Sequence, residues 1–121
     1  MNTGNNERVF KMTFASIYPL YIQKLARKGR SQAELDEALC WLTGYDAAGL
    51  DLQIKSGASL REFFDHAPRI HPNATLVKGL ICGIRVEEIE DPLMQHIRRM
   101  DKLVDELAKG RPMDKVLRKP Q

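Results

Sequence analysis

Helix start and stop signals recur along this chain at intervals that leave room only for a series of short helices. Ser31-Gln32-Ala33-Glu34 and Ser59-Leu60-Arg61-Glu62 each place a hydroxyl three residues ahead of a glutamate. The hydroxyl can accept from the N3 amide while the carboxylate accepts from the N-cap amide, so both segments read as capping boxes. Asp91-Pro92 pairs an N-cap carboxylate with a residue whose fixed φ suits the first helical position. Gly29, Gly44, Gly57, Gly83 and Gly110 supply the stops.

Apolar stripes at helical spacing fill the intervals. Ser16 is read as the cap of a first helix carrying Tyr18, Tyr21, Ile22 and Leu25, with Pro19 in its first turn. Leu35, Ala38, Leu39 and Leu42 form the second stripe. Asp46 caps a third helix through Leu50 and Ile54, and Phe63, Phe64 and Ala67 belong to a fourth that Pro68 ends. Asn73 is read as the cap of a helix over residues 74–82, apolar nearly all round and therefore central. From Val86 two readings stay open: a helix kinked at Pro92, or a single turn followed by a fresh start at Asp91-Pro92. Leu93, Ile97, Met100, Val104 and Leu107 then repeat at heptad spacing, and Pro112 opens a short last helix.

No segment shows sustained period-two alternation. The expected fold is all-α: a compact single domain of about five to seven short helices with a longer C-terminal helix, spanning residues 12–119. Residues 1–11 read as a flexible leader in which Val9 and Phe10 form at most a short extended arm. A length of 121 residues and 43% hydrophobic content suit one folded domain. No apolar run approaches the roughly 18 residues that a membrane span needs. The polar start lacks a signal-peptide core, which points to the cytoplasm. Cys40 and Cys82 sit far apart in apolar patterns and read as reduced thiols.

Candidate chemistry is sparse. If residues 86–91 are helical, Glu87, Glu90 and Asp91 share a face beside Arg85, a cluster able to hold a cation or shift a carboxyl pKa. The simpler reading is acidic residues complementing a helix N-terminus. Tyr45 is a further candidate for that surface. Trp41-Leu42-Thr43-Gly44-Tyr45 brings two large rings to a helix end, either as core anchors or as the wall of a ligand groove or interface. Arg27, Lys28 and Arg30 are candidate phosphate contacts, with Lys109, Arg111, Lys115, Arg118 and Lys119 as a basic tail. The net charge of only +3 does not by itself predict nucleic-acid binding. His66, His71 and His96 match no zinc spacing, and there is no phosphate loop, dinucleotide fingerprint or nucleophile elbow. No cofactor and no metal is expected.

The segments Phe14-Ala15-Ser16-Ile17-Tyr18-Pro19-Leu20-Tyr21, Lys28-Gly29-Arg30, Trp41-Leu42-Thr43-Gly44-Tyr45 and Ala67-Pro68-Arg69 carry a family likeness. It continues from Cys82 to Met94 and from Asp101 to Gly110. On these residues the chain resembles a family of small bacterial proteins catalogued as domain of unknown function 2200. The resemblance implies a stand-alone helical domain in bacterial cytoplasm and no assigned activity. Three readings follow, in order. The first is a non-enzymatic interaction protein, self-associating through Leu93, Ile97, Met100, Val104 and Leu107. The second is a nucleic-acid accessory protein using the basic helix ends. The third is an enzyme or small-ligand binder built on Arg85, Glu87, Glu90, Asp91 and Tyr45.

Overall fold

The structure, a computed structural model, describes residues 3–118. The described residues form seven α-helices and one two-stranded hairpin. They are α1 (Thr3–Lys11), α2 (Phe14–Ala26), α3 (Gln32–Thr43), α4 (Ala47–Lys55), α5 (Leu60–Asp65), β1 (Leu80–Ile81), β2 (Ile84–Arg85), α6 (Pro92–Ala108) and α7 (Met113–Val116). The mainly helical fold with a long C-terminal helix is the one expected.

Both capping boxes form, with Ser31 and Ser59 accepting from the amides of Glu34 and Glu62 and each glutamate returning to the cap amide. Ser31→Ala and Ser59→Ala should each lower unfolding free energy by about 1 kcal/mol in urea titrations. Asp46 and Asp91 cap α4 and α6. Pro92 stands at the start of α6, which settles the fork in favour of the fresh start. Residues 86–88 make only a single 3-10 turn.

The cap of α2 is Thr13 rather than Ser16: Thr13 Oγ1 accepts from the Ser16 amide at 3.2 Å, and Pro19 consequently lies inside the helix. The leader expected over residues 1–11 is also corrected from residue 3 on, residues 1–2 lying outside the described residues. From Thr3 the chain is helical, and Phe10 is only 3% exposed in the core. The Leu60 amide donates to Met12 O at 2.7 Å, the Phe14 amide donates to Ala58 O at 2.9 Å, and the Arg61 guanidinium lies 4.9 Å from the Phe10 ring centre. Burying one large ring and tying its connection to α5 holds this helix against the domain.

The central helix expected over 74–82 does not form. Pro72–Leu76 is a 3-10 turn capped by His71, whose Nδ1 accepts from the Asn73 amide. The chain then makes the β1–β2 hairpin, pairing Leu80 with Arg85 and Ile81 with Ile84. Its two central residues, Cys82 and Gly83, have φ of 52° and 77°. Positive φ at both positions gives a two-residue turn the twist of its strands, a geometry a helix cannot continue through. Of the apolar residues on that segment, Val77 and Ile81 are buried while Leu76 and Leu80 are exposed, so the run does not mark a central helix.

The heptad seam of α6 faces inward. Met100, Leu107 and Val104 are 0%, 0% and 1% exposed, Ile97 is 3% exposed, and Leu93 packs half-buried against the same core. They meet Phe14, Leu25, Leu35, Leu39 and Phe63, with Phe14 and Phe63 stacked at 4.2 Å between ring centres. Within the chain, α2, α3 and α5 pack against α6.

Candidate functional site

The residues expected to form one charged surface are divided among three places. Arg85 and Glu87 pair across the base of the hairpin, Nη1 to Oε2 at 3.8 Å, and Glu87 Oε1 accepts from the Gly79 amide at 3.0 Å. That backbone hydrogen bond, followed by the nearby Arg85 and Lys78, holds the Glu87 carboxyl below its usual range. Glu87 is a brace for the hairpin. Glu90 and Asp91, with Glu88, Met94 and Arg98, line an open groove of about 300 Å³. Tyr45 belongs to neither: it is buried, its hydroxyl donates to Phe63 O at 2.6 Å, and burial pushes its phenol up to about 12. Among the described residues no group of three or more His, Cys, Asp or Glu is placed to hold a metal ion.

The basic residues fare similarly. Arg30 reaches Glu34 at 2.9 Å and Arg111 O at 2.9 Å, so it joins two helix ends. Lys109 pairs with Asp105, while Arg111 and Arg118 pair with Glu106. Arg27 and Lys28 are exposed and make no ion pair among the described residues; Lys115 is exposed on α7, and Lys119 lies outside those residues. Of the whole set, Arg27, Lys28 and Lys115 are exposed and without an ion pair among the described residues.

The larger groove opens beside the end of α3. It encloses about 450 Å³ and is lined by Cys40, Trp41, Gly44, Arg69, His71, Pro72 and Asn73. Local sequence explains its position. Gly44 ends α3 at φ 79°, in the left-handed region that glycine enters without strain. The missing side chain lets residue 69 lie directly against it: the Arg69 amide donates to Thr43 O at 3.1 Å, and the His71 amide donates to Leu42 O at 3.0 Å. This pinned segment brings the His71 ring onto Trp41, 4.4 Å between centres and 22° from parallel.

The His71 Nδ1 accepts from the Asn73 amide at 2.9 Å, which leaves Nε2 as the ring nitrogen that can donate. Arg69 is exposed at the rim and makes no ion pair among the described residues. Burial, with Asp36 and Asp46 nearby, pushes the Cys40 thiol up, the opposite of an activated nucleophile. What the groove offers is a ring pair, one open guanidinium and a fixed imidazole donor. The sequence named Trp41 as a candidate wall but assigned Arg69 and His71 to a loop. The signal that would have linked them is Gly44, since a helix-ending glycine permits close backbone approach.

A second depression of about 210 Å³ lies between α1, α2 and α6, lined by Val9, Met12, Leu20, Tyr21, Ile97 and Arg98 among others. Its polar end is closed on itself: Tyr21 donates to Asp101 Oδ1 at 2.5 Å, and Arg98 Nη1 donates to Asp101 Oδ2 at 3.0 Å. Burial and then Asp101 hold the Tyr21 phenol well above its ordinary value.

The profile of the family described as "Uncharacterized protein conserved in bacteria (DUF2200)" matches residues 8–118. The chain belongs to this family. A solved structure described as "Crystal structure of uncharacterized protein SP1917" is similar at 41% identity and a TM-score of 0.86, covering 92% of this chain and 91% of that one. No curated protein matches the chain. The family match spans both the Trp41 groove and the hairpin. No helix among the described residues is long and apolar enough to cross a membrane.

Proposed function

We propose that this protein is a small cytoplasmic, non-enzymatic interaction module that docks a partner polypeptide through the Trp41–His71 groove. The observation that carries the reading is the stacked ring pair beside the unpaired Arg69 at an open rim. Tryptophan and arginine are the residue types that dominate binding energy at protein interfaces. A complementary partner presents an apolar or aromatic side chain to the rings and a carboxylate to Arg69. Such a guanidinium–carboxylate contact fixes register and favours acidic over basic sequences. The acidic groove at Glu90 and Asp91 has the opposite charge preference, and the Arg27–Lys28 helix end has no aromatic wall, so neither competes for this partner.

Trp41 is the sole tryptophan, so its emission reports the site directly. In a titration with N-acetylated, C-amidated Glu-Phe, emission should change saturably at millimolar concentrations, the order expected for so small a ligand. Lys-Phe should produce a much weaker response, and Arg69→Glu should reverse the preference. Emission indifferent to both peptides would contradict the reading.

A further inference from the structure

A second, independent feature lies on the other side of α6. Arg99 is 8% exposed, yet no carboxylate among the described residues lies within ion-pairing distance of it. Its Nε is shut away from solvent without a hydrogen-bond partner, and its Nη1 makes only a 3.5 Å contact with His96 Nδ1. A guanidinium keeps its charge in proteins, so placing one at 8% exposure with no carboxylate beside it is unfavourable unless something neutralises it.

The neighbouring residues do not. Gln95 and Lys102, four residues before and three after, reach across to the hairpin segment, donating to Val86 O at 3.1 Å and Leu80 O at 3.1 Å. Lys102 adds positive charge to the same helix face. Glu106, one turn further, is already held by Arg111 and Arg118. His96 stacks on Phe64 with ring centres 5.6 Å apart. Burial and then the neighbouring Arg99 push the His96 imidazole pKa down, and with Nδ1 facing the guanidinium, Nε2 is the ring nitrogen left to donate.

We propose that Arg99 and His96 form a receptor for a small oxyanion, bound at the face of α6 that meets the hairpin. The forked guanidinium suits two oxygens of one phosphate or carboxylate group. Lys102, three residues further along α6, carries a second positive charge whose Nζ lies at the hairpin, 3.1 Å from Leu80 O.

The test uses the intact protein in chloride buffer, with inorganic phosphate or acetate added at constant ionic strength. Binding to the native state raises Tm in a concentration-dependent way, and phosphate should raise it by a few degrees. The Arg99 Nε–H resonance should shift in parallel, and the His96 pKa should rise as the anion offsets its cationic neighbour. Arg99→Met should abolish the Tm response, whereas Arg27→Gln combined with Lys28→Gln should keep it. A response to acetate but not phosphate would identify the anion as a carboxylate and support the receptor. No response of Tm or the Nε–H resonance to either anion would overturn it. So would a response that survives Arg99→Met or disappears with the Arg27 and Lys28 changes. Should Arg99→Met fail to fold, the Nε–H titration of the unaltered protein decides alone.

Discussion

Glu106→Ala should lower unfolding free energy by about 3–5 kcal/mol, the usual penalty for leaving a buried charge without its partner. Glu106 is only 5% exposed on α6 and holds Arg118 through both carboxylate oxygens, at 2.6 and 2.7 Å. It also reaches Arg111 at 3.2 Å. Arg118 is in turn the clasp of the chain's C-terminal part: its Nε donates to Leu76 O at 3.3 Å, and Asn73 Nδ2 donates to Arg118 O at 2.9 Å. Removing the carboxylate leaves the largely buried Arg118 guanidinium without a counter-charge and loosens its hold on the 72–76 turn.

Urea titrations of Glu106→Ala, Arg118→Ala and the double variant form the relevant cycle. The double variant should be clearly more stable than the sum of the two losses predicts, because no lone charge remains buried. A loss below about 1 kcal/mol for Glu106→Ala would mean that the pair behaves as a surface contact.

Gly44→Ala should be nearly as damaging, for a reason that is backbone rather than charge. Residue 44 sits at φ 79°, and a Cβ there would lie 2.8 Å from Arg69 N and 2.9 Å from Arg69 O. A left-handed conformation costs a non-glycine residue about 1–2 kcal/mol, and forced displacement of packed backbone adds roughly 1–3 kcal/mol. Gly29→Ala is the matched control. Its φ is 73°, but nothing lies within 4 Å of the added Cβ, so only the conformational cost applies. The two variants should therefore differ by roughly 1–3 kcal/mol in urea. Gly44→Ala should also alter Trp41 emission in the folded state, since residues 69–71 must shift. Equal losses for the two variants would mean that the 69–71 segment moves aside freely.

Much of this architecture was legible because its signals are local. Capping at Ser31, Ser59, Asp46 and Asp91 depends on residues three apart, and those helices begin where the residues say. The failures have a common cause in contacts between distant segments. Whether residues 74–82 became a helix depended on Cys82 and Gly83 adopting positive φ together, and cysteine seldom advertises that. Whether residues 3–11 formed a helix depended on a pocket for Phe10 provided by α5. The heptad seam was visible, but its spacing is the same whether the covering helices come from this chain or from a copy; here its residues share a core with Phe14, Leu35 and Phe63.

The candidate site divides along the same line. Trp41 was recognisable as an aromatic at a helix end, whereas His71 and Arg69 reach it only through backbone hydrogen bonds to Leu42 and Thr43. Spacing grouped Glu87, Glu90 and Asp91 beside Arg85, and Tyr45 was added to that surface as a further candidate. The hairpin and the Asp91 cap separate the charges, and Tyr45 turns into the core toward Phe63.

The most direct test of the central claim is an amide and indole NMR titration of the labelled protein with the blocked Glu-Phe peptide. The Trp41 indole and the amides of Gly44, Arg69, His71 and Asn73 should move together along one saturation curve, with Lys-Phe leaving them nearly still. Shifts gathered instead around Glu90, Asp91 and Arg98, or around Arg27 and Lys28, would contradict the assignment of the Trp41 groove as the docking site.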